Sequence, residues 1–95
     1  MKPTSSNLVG LDNYTRPAQE ETELNSLCLN VFASKNGQKV LSYLKSITIE
    51  AVAGSEVSDA TLRHLEGQRY MIGLIQRRVN KGKSQNIVQE KLNVK

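Results

Sequence analysis

SDATLRHLEGQRYMIGLIQRRVNKG, residues 58–82, is the stretch whose reading decides the fold. It opens on Ser58 and Asp59, either of which supplies a helix N-cap, because the side-chain oxygen accepts from backbone N–H groups that lack a partner in the first turn. It closes on Asn80-Lys81-Gly82-Lys83, the glycine and positive charge expected at a helix C-terminus. The spacing predicts a long helix from Ser58 to about Asn80. Its apolar residues divide between two faces. On a 100° wheel Leu65, Ile72, Ile75 and Val79 share one side with Leu62 at its margin. Met71 and Leu74 point roughly the other way, flanked by Gly67 and Arg78. Such a helix is either gripped from both sides in a core or serves a partner with its second face.

Two shorter helices precede it. Leu24, Leu27, Cys28, Val31 and Phe32 fall at i, i+3, i+4, i+7 and i+8, one apolar stripe of a helix running from about Pro17 or Glu20 to Ala33. Pro17 suits the first turn, where its missing N–H has no partner anyway, and Glu20, Glu21 and Glu23 complement the positive end of the dipole. Ser34 then caps a second helix that carries Val40, Leu41, Leu44 and Ile47 inward. Gly37 near its start allows a turn or a close approach. The short link between the two helices favours an antiparallel hairpin. The β-branched run Ile47-Thr48-Ile49 weakens the end of the second helix, and the small, polar residues 50–57 read as a loop.

The expected fold is therefore all-α: a helical hairpin closed by the long third helix. Its core is expected to hold Leu24, Leu27, Val31, Phe32, Val40, Leu41, Leu44, Leu65, Ile72, Ile75 and Val79. Residues 1–19, with Pro3, Gly10 and Pro17 and no sustained apolar period, read as an extended arm. Residues 20–82 form the helical domain, and 83–95 a flexible polar tail. Ninety-five residues permit one compact unit. A core of this size orders so long a chain only with difficulty, so either the ends are loose or a partner completes the burial.

Composition excludes several function classes. The longest unbroken apolar run is three residues, far short of a membrane span. No charged-then-apolar leader opens the chain, so secretion is not expected. Cys28, the single cysteine, can form no internal disulfide, which favours a reducing compartment. Set in an apolar stripe with no neighbouring histidine or clustered positive charge, it reads as an inert core thiol. One histidine and one cysteine cannot assemble a structural zinc site. His64-Leu65-Glu66 matches the first element of a zinc deaminase but has no Cys-x-x-Cys to complete it. Lys81-Gly82-Lys83-Ser84 has the last letters of a phosphate-binding loop, yet Arg77 stands where that motif needs glycine. No nucleophile elbow or paired carboxylates appear. An enzyme, a cofactor, a metal and a small-molecule substrate are all unexpected.

Charge is distributed unevenly. The net charge of +4 resolves into −2 over residues 1–33, zero over 34–66 and +6 over 67–95. Arg69, Arg77, Arg78, Lys81 and Lys83 concentrate at the end of the long helix, where they either form a solvated basic end or contact phosphates or an acidic protein. Tyr70 is the only aromatic side chain in that half, so base stacking has little to build on. Arg69 is placed for a clasp with Glu66, its stem covering core, and Gly67 is expected to admit a close neighbour.

Phe32 leading into Gly37, Val40-Leu41, Leu44, then Glu66-Gly67-Gln68-Arg69 and the apolar stretch 71–75 resemble a group of small proteins encoded in the structural-gene region of short-tailed bacteriophages. The resemblance covers residues 32–78. Gln68 departs from it, standing where many of these sequences have a second basic residue. It implies a virion or assembly component with no catalytic residue to transfer, acting in the virion or the host cytoplasm. The expected role is a helical adaptor between other phage structural proteins or copies of itself, with Gly67, Met71, Leu74 and Arg78 at the partner face. The alternative is a DNA-associated accessory protein of packaging or ejection, contacting phosphates through Arg69, Arg77, Arg78, Lys81 and Lys83.

Overall fold

The computed structural model describes residues 7–50, 54 and 56–93, with side chains described as far as Ile87. Two short antiparallel strands, β1 (Asn7–Val9) and β2 (Thr15–Pro17), precede three helices: α1 (Ala18–Phe32), α2 (Lys35–Ser46) and α3 (Asp59–Asn93). The all-α expectation holds, with the hairpin as an addition. The expected extended arm is therefore folded back on itself over residues 7–17. Its reversal is set by Asn13, whose positive φ of 72° suits a residue that tolerates the left-handed region. The Gly10 N–H donates to the Tyr14 carbonyl at 2.8 Å and closes the loop.

The helix starts follow local chemistry. Pro17 is the residue before α1, and Glu20 and Glu21 lie in its first turn. Ser34 Oγ accepts from the Gly37 N–H at 3.0 Å and caps α2. Ser58 Oγ accepts from the Thr61 N–H at 3.2 Å at the start of α3. At the end of α2 the helix stops before the β-branched run, and Thr48 Oγ1 donates to the Leu44 carbonyl at 2.6 Å. The loop expected over residues 50–57 falls partly outside the described residues.

The third helix does not stop at Gly82. It runs 35 residues to Asn93, so residues 83–93 of the expected tail are helical. Gly82 serves a different purpose: it is the crossing point of α1 and α3. A Cβ placed there would stand 2.6 Å from the Asn25 carbonyl oxygen and 2.9 Å from Leu29 Cβ, so only glycine lets the two backbones approach this closely. Gly37 has the same role at the α1–α2 junction, against Val31 and Phe32. Gly67, expected to admit a close neighbour, has no atom within 4 Å of a Cβ built upon it.

Helix directions follow from the cross-links. Lys45 reaches Gln76 and the Thr48 carbonyl meets Arg69, so α2 runs antiparallel along α3. One turn of α1, by contrast, spans two turns of α3: Glu21 and Asn25 bond Arg78, while Thr22 and Asn25 bond Gln85. α1 packs most extensively against α3, bringing Glu21 and Asn25 to Arg78 and Asn25 and Leu29 to Gly82. The contact face of α1 is Glu21, Asn25 and Leu29, spaced four residues apart and all buried. Leu27 and Val31 lie about 160° around the helix from Leu29 and are 51% and 58% exposed. The buried apolar residues are Leu29, Leu41, Ile72 and Val79. Leu27, Val31 and Val40 of the expected core are exposed, and Leu24, Phe32, Leu44, Leu65 and Ile75 are half-buried. Leu29, absent from the expected core, is the one buried apolar residue of α1 among the described side chains.

Two of the three glycines of α3, Gly67 and Gly82, make opposite predictions. Gly82→Val is expected to destabilise the protein by about 1–3 kcal/mol, the range for overpacking. Gly67→Ala should stabilise it by up to about 1 kcal/mol, since the helix gains propensity and nothing obstructs the methyl group. Urea denaturation of both variants measures the difference.

Candidate functional site

Two features stand out: a buried ionic junction that holds the fold, and a set of surfaces that the junction leaves open. Arg78, placed by sequence in both the partner face and the phosphate-binding set, belongs to the first. It is buried, with 5% of its surface accessible. Its Nη1 donates to Glu21 Oε2 at 2.9 Å and to Asn25 Oδ1 at 2.8 Å. Its Nη2 donates to Glu21 Oε1 at 3.3 Å and to Asp12 Oδ2 at 3.4 Å. From the hairpin, Arg16 pairs with Asp12 at 2.9 Å and with Glu21 at 2.6 Å, and the Leu11 N–H donates to Glu21 at 3.1 Å. Two guanidinium groups thus meet two carboxylates, and three elements of the chain are tied at one point. Asn25 extends the junction, its Nδ2 donating to Gln85 at 2.8 Å. Arg78 is accordingly unavailable to a partner or a phosphate. Asp12, Arg16, Glu21 and Asn25 carry no motif, and no apolar period marks them.

The surroundings shift these acids downward. The Arg16 hydrogen bond, seconded by the Tyr14 N–H, holds the Asp12 carboxyl well below the usual carboxylate range. Burial alone would raise Glu21, but Arg78, the Leu11 N–H and Arg16 outweigh it and leave its carboxyl lowered.

The remaining candidate cations are dispersed. Arg69 is half-buried, its Nε donating to the Thr48 carbonyl at 3.0 Å and its Nη1 to Glu66 at 2.8 Å, the clasp expected of it. Arg77 and Lys81 border a shallow depression with Leu11 of the hairpin. Lys83 lies about 120–160° around α3 from these two, in a cleft facing α2. Of the five cations, Arg77 and Lys81 therefore share one side of α3 while Arg69, Arg78 and Lys83 are directed elsewhere.

Apolar surface, by contrast, is gathered. On α1, Glu21 meets Arg78 whereas Thr22 and Ser26 meet Gln85, so the Glu21 side faces the N-terminal half of α3. Helical geometry places Leu24, Cys28 and Val31 on that side. α2 turns Leu44 and Ile47 toward the same region, where they line a cleft of about 300 Å³ with Thr48, Gln68, Met71 and Ile72. Val40 shares their face of α2. Met71 is 58% exposed, and Leu74 and Ile75 are half-buried. An open apolar corner thus lies between the end of α2 and α3. Of the expected partner residues its lining includes Met71; Leu74 is half-buried outside it, Gly67 is exposed one turn further along, and Arg78 is excluded. Cys28 is a half-buried free thiol on α1. Among the described residues no helix is long and apolar enough to cross a membrane, and no cluster of His, Cys, Asp and Glu is arranged to hold a metal ion.

Arg78→Ala is expected to cost about 3–5 kcal/mol, because it strands Glu21 in a buried position without its principal partner. Arg77→Ala, one residue away and exposed, should change stability by no more than about 0.5 kcal/mol. Because Asp12 and Glu21 are both lowered in the folded state, the stability they contribute is complete above the unfolded carboxylate range near pH 4 and is lost as pH falls below it. Thermal melts between about pH 6 and pH 2 should show this loss, with a shallower slope for Glu21→Gln.

Comparison with known proteins supplies the last element. Neither the curated proteins nor the solved structures contain a significant match to this chain. Residues 28–89 match a family model described as Bbp19-like phage protein. The matched span takes in the end of α1, all of α2 and most of α3, with the apolar corner, Gly82 and Arg78, and leaves out Asp12, Arg16, Glu21 and Asn25. It covers more than half of the sequence, and the chain therefore belongs to the family of Bbp19-like phage proteins.

Proposed function

We propose that this phage protein is a non-enzymatic virion or assembly component of a short-tailed phage, a helical adaptor that docks another phage structural protein in its apolar corner. The observation that carries the reading is the apolar cleft that Leu44, Ile47, Met71 and Ile72 line between the end of α2 and α3, with Ile47 and Met71 exposed at it and Val40 exposed on the same face of α2. Scattered apolar residues on a surface are ordinary, but a contiguous apolar concavity in so small a protein is a place for a partner side chain. Burial there would add to a fold whose own enclosed apolar core, among the described residues, is four side chains. The packaging alternative draws less support, since Arg78 is enclosed and Lys83 faces away from the side of α3 that Arg77 and Lys81 share. A duplex would engage only part of that charge at once.

Val40→Gln, Ile47→Gln and Met71→Gln, combined in one chain, provide the test. All three side chains are about half exposed or more, so each change should alter stability by no more than about 0.5 kcal/mol. Mass spectrometry of particles and assembly intermediates from cells infected with the variant phage is expected to show the wild-type chain associated and the variant lost. Retention of the variant, or absence of the wild-type chain from both fractions, overturns the adaptor reading. A melt lowered by several kcal/mol would place these residues in the core instead.

A further inference from the structure

A second cleft lies on the opposite flank of α2, where it meets the end of α1 and the middle of α3. Its volume is about 310 Å³. Phe32, Leu41 and Val79 supply an apolar floor, and Lys45, Lys83 and Gln76 stand around it. None of the described residues that line it is acidic. Lys45 Nζ directs one hydrogen bond to Gln76 Oε1 at 3.3 Å, leaving two of its three donors for another acceptor. Lys83 is exposed and bonds to no described side chain. Two cations above a greasy floor form a half-site that lacks an anion.

We propose that this cleft binds a peptide segment of the docked protein in which a carboxylate side chain stands beside a bulky apolar one. The proposal rests on the adaptor reading and adds a second point of attachment with its own chemistry. Charge complementarity selects the acidic residue: a carboxylate between Lys45 and Lys83 meets two donors and no competing acid. The floor selects its neighbour, because half-buried Phe32, packed beside the enclosed Leu41 and Val79, loses its remaining contact with water only under an apolar side chain. A nucleic acid strand satisfies the first condition and not the second. Its phosphates and sugars leave the floor unfilled, and Arg77 and Lys81 lie on the far side of α3 from Lys83.

The test is a titration of the full-length, ¹⁵N-labelled chain with three probes, followed by amide chemical shifts. The probes are the blocked hexapeptide Ala-Leu-Phe-Glu-Leu-Ala, its twin with glutamine in place of glutamate, and a short DNA duplex. The acidic peptide is expected to give saturable shifts at the amides of the cleft, on both α2 and α3. The glutamine twin, and a Lys45→Ala/Lys83→Ala variant titrated with the acidic peptide, should each bind at least about tenfold more weakly. Equal binding of the twin, undiminished binding by the variant, shifts confined to the apolar corner, tighter binding of the duplex, or no saturable shift at all would each overturn the assignment. Particle incorporation through the corner is read separately. Loss of peptide binding with corner-dependent incorporation intact removes the cleft alone, and loss of incorporation removes the adaptor.

Discussion

The Arg78 guanidinium is the constraint around which this small protein is arranged. A charge so enclosed is tolerated only when its donors are met, and Arg78 recruits acceptors from three parts of the chain: Asp12 of the hairpin, and Glu21 and Asn25 of α1. Arg16 completes the set by supplying the second positive charge that two neighbouring carboxylates require. The N-terminal hairpin, whose three-residue strands would be marginal alone, is thereby fastened across the helices. Gly82, one turn beyond Arg78, lets the α1 backbone come near enough for these side chains to meet.

The same junction explains why so much apolar surface is left open. To bring Glu21 and Asn25 against α3, α1 is rolled so that the row Glu21, Asn25, Leu29 is its inner face. Its most apolar stripe then points elsewhere, leaving Leu24 and Cys28 half-buried and Leu27 and Val31 exposed. A helix that packed by hydrophobic burial alone would be turned the other way. Polar interactions thus set the orientation, and the hydrophobic surface becomes available to a partner. The second cleft, on the other flank of α2, has the converse character: cations gathered at the rim of an apolar floor, with no acid beside them. In the virion or the infected cell, two such surfaces on one small scaffold suit a protein that joins others.

The limits of sequence reading can be located residue by residue. Ser34 and Ser58 announced their helices because capping is a local matter, decided by a side chain and an N–H three residues away. The Arg69–Glu66 clasp was legible for the same reason, as a pair three residues apart on one helix. Gly82 was misread, since glycine as a helix stop and glycine as a crossing point have the same local signature; what separates them is the Asn25 carbonyl, far away in sequence. The basic run divides in space although it is continuous along the helix: Arg77 and Lys81 share one side, Arg78 turns inward and Lys83 lies on another.

By itself the sequence determined what depends on near neighbours: three helices, their caps, the absence of a strong metal-ligand set and the kinship with small phage proteins. Tertiary structure alone decided which face of each helix is inside. That choice turns on pairing a buried arginine with carboxylates more than fifty residues away, and periodicity cannot register it. Apolar patterning reports where burial would be favourable, whereas the roll of α1 is set by the larger penalty of leaving Arg78 unpaired. The enclosure of Arg78 and the exposure of Leu27 and Val31 follow from that one rotation and from the close approach at Gly82, which exist only once the chain is folded.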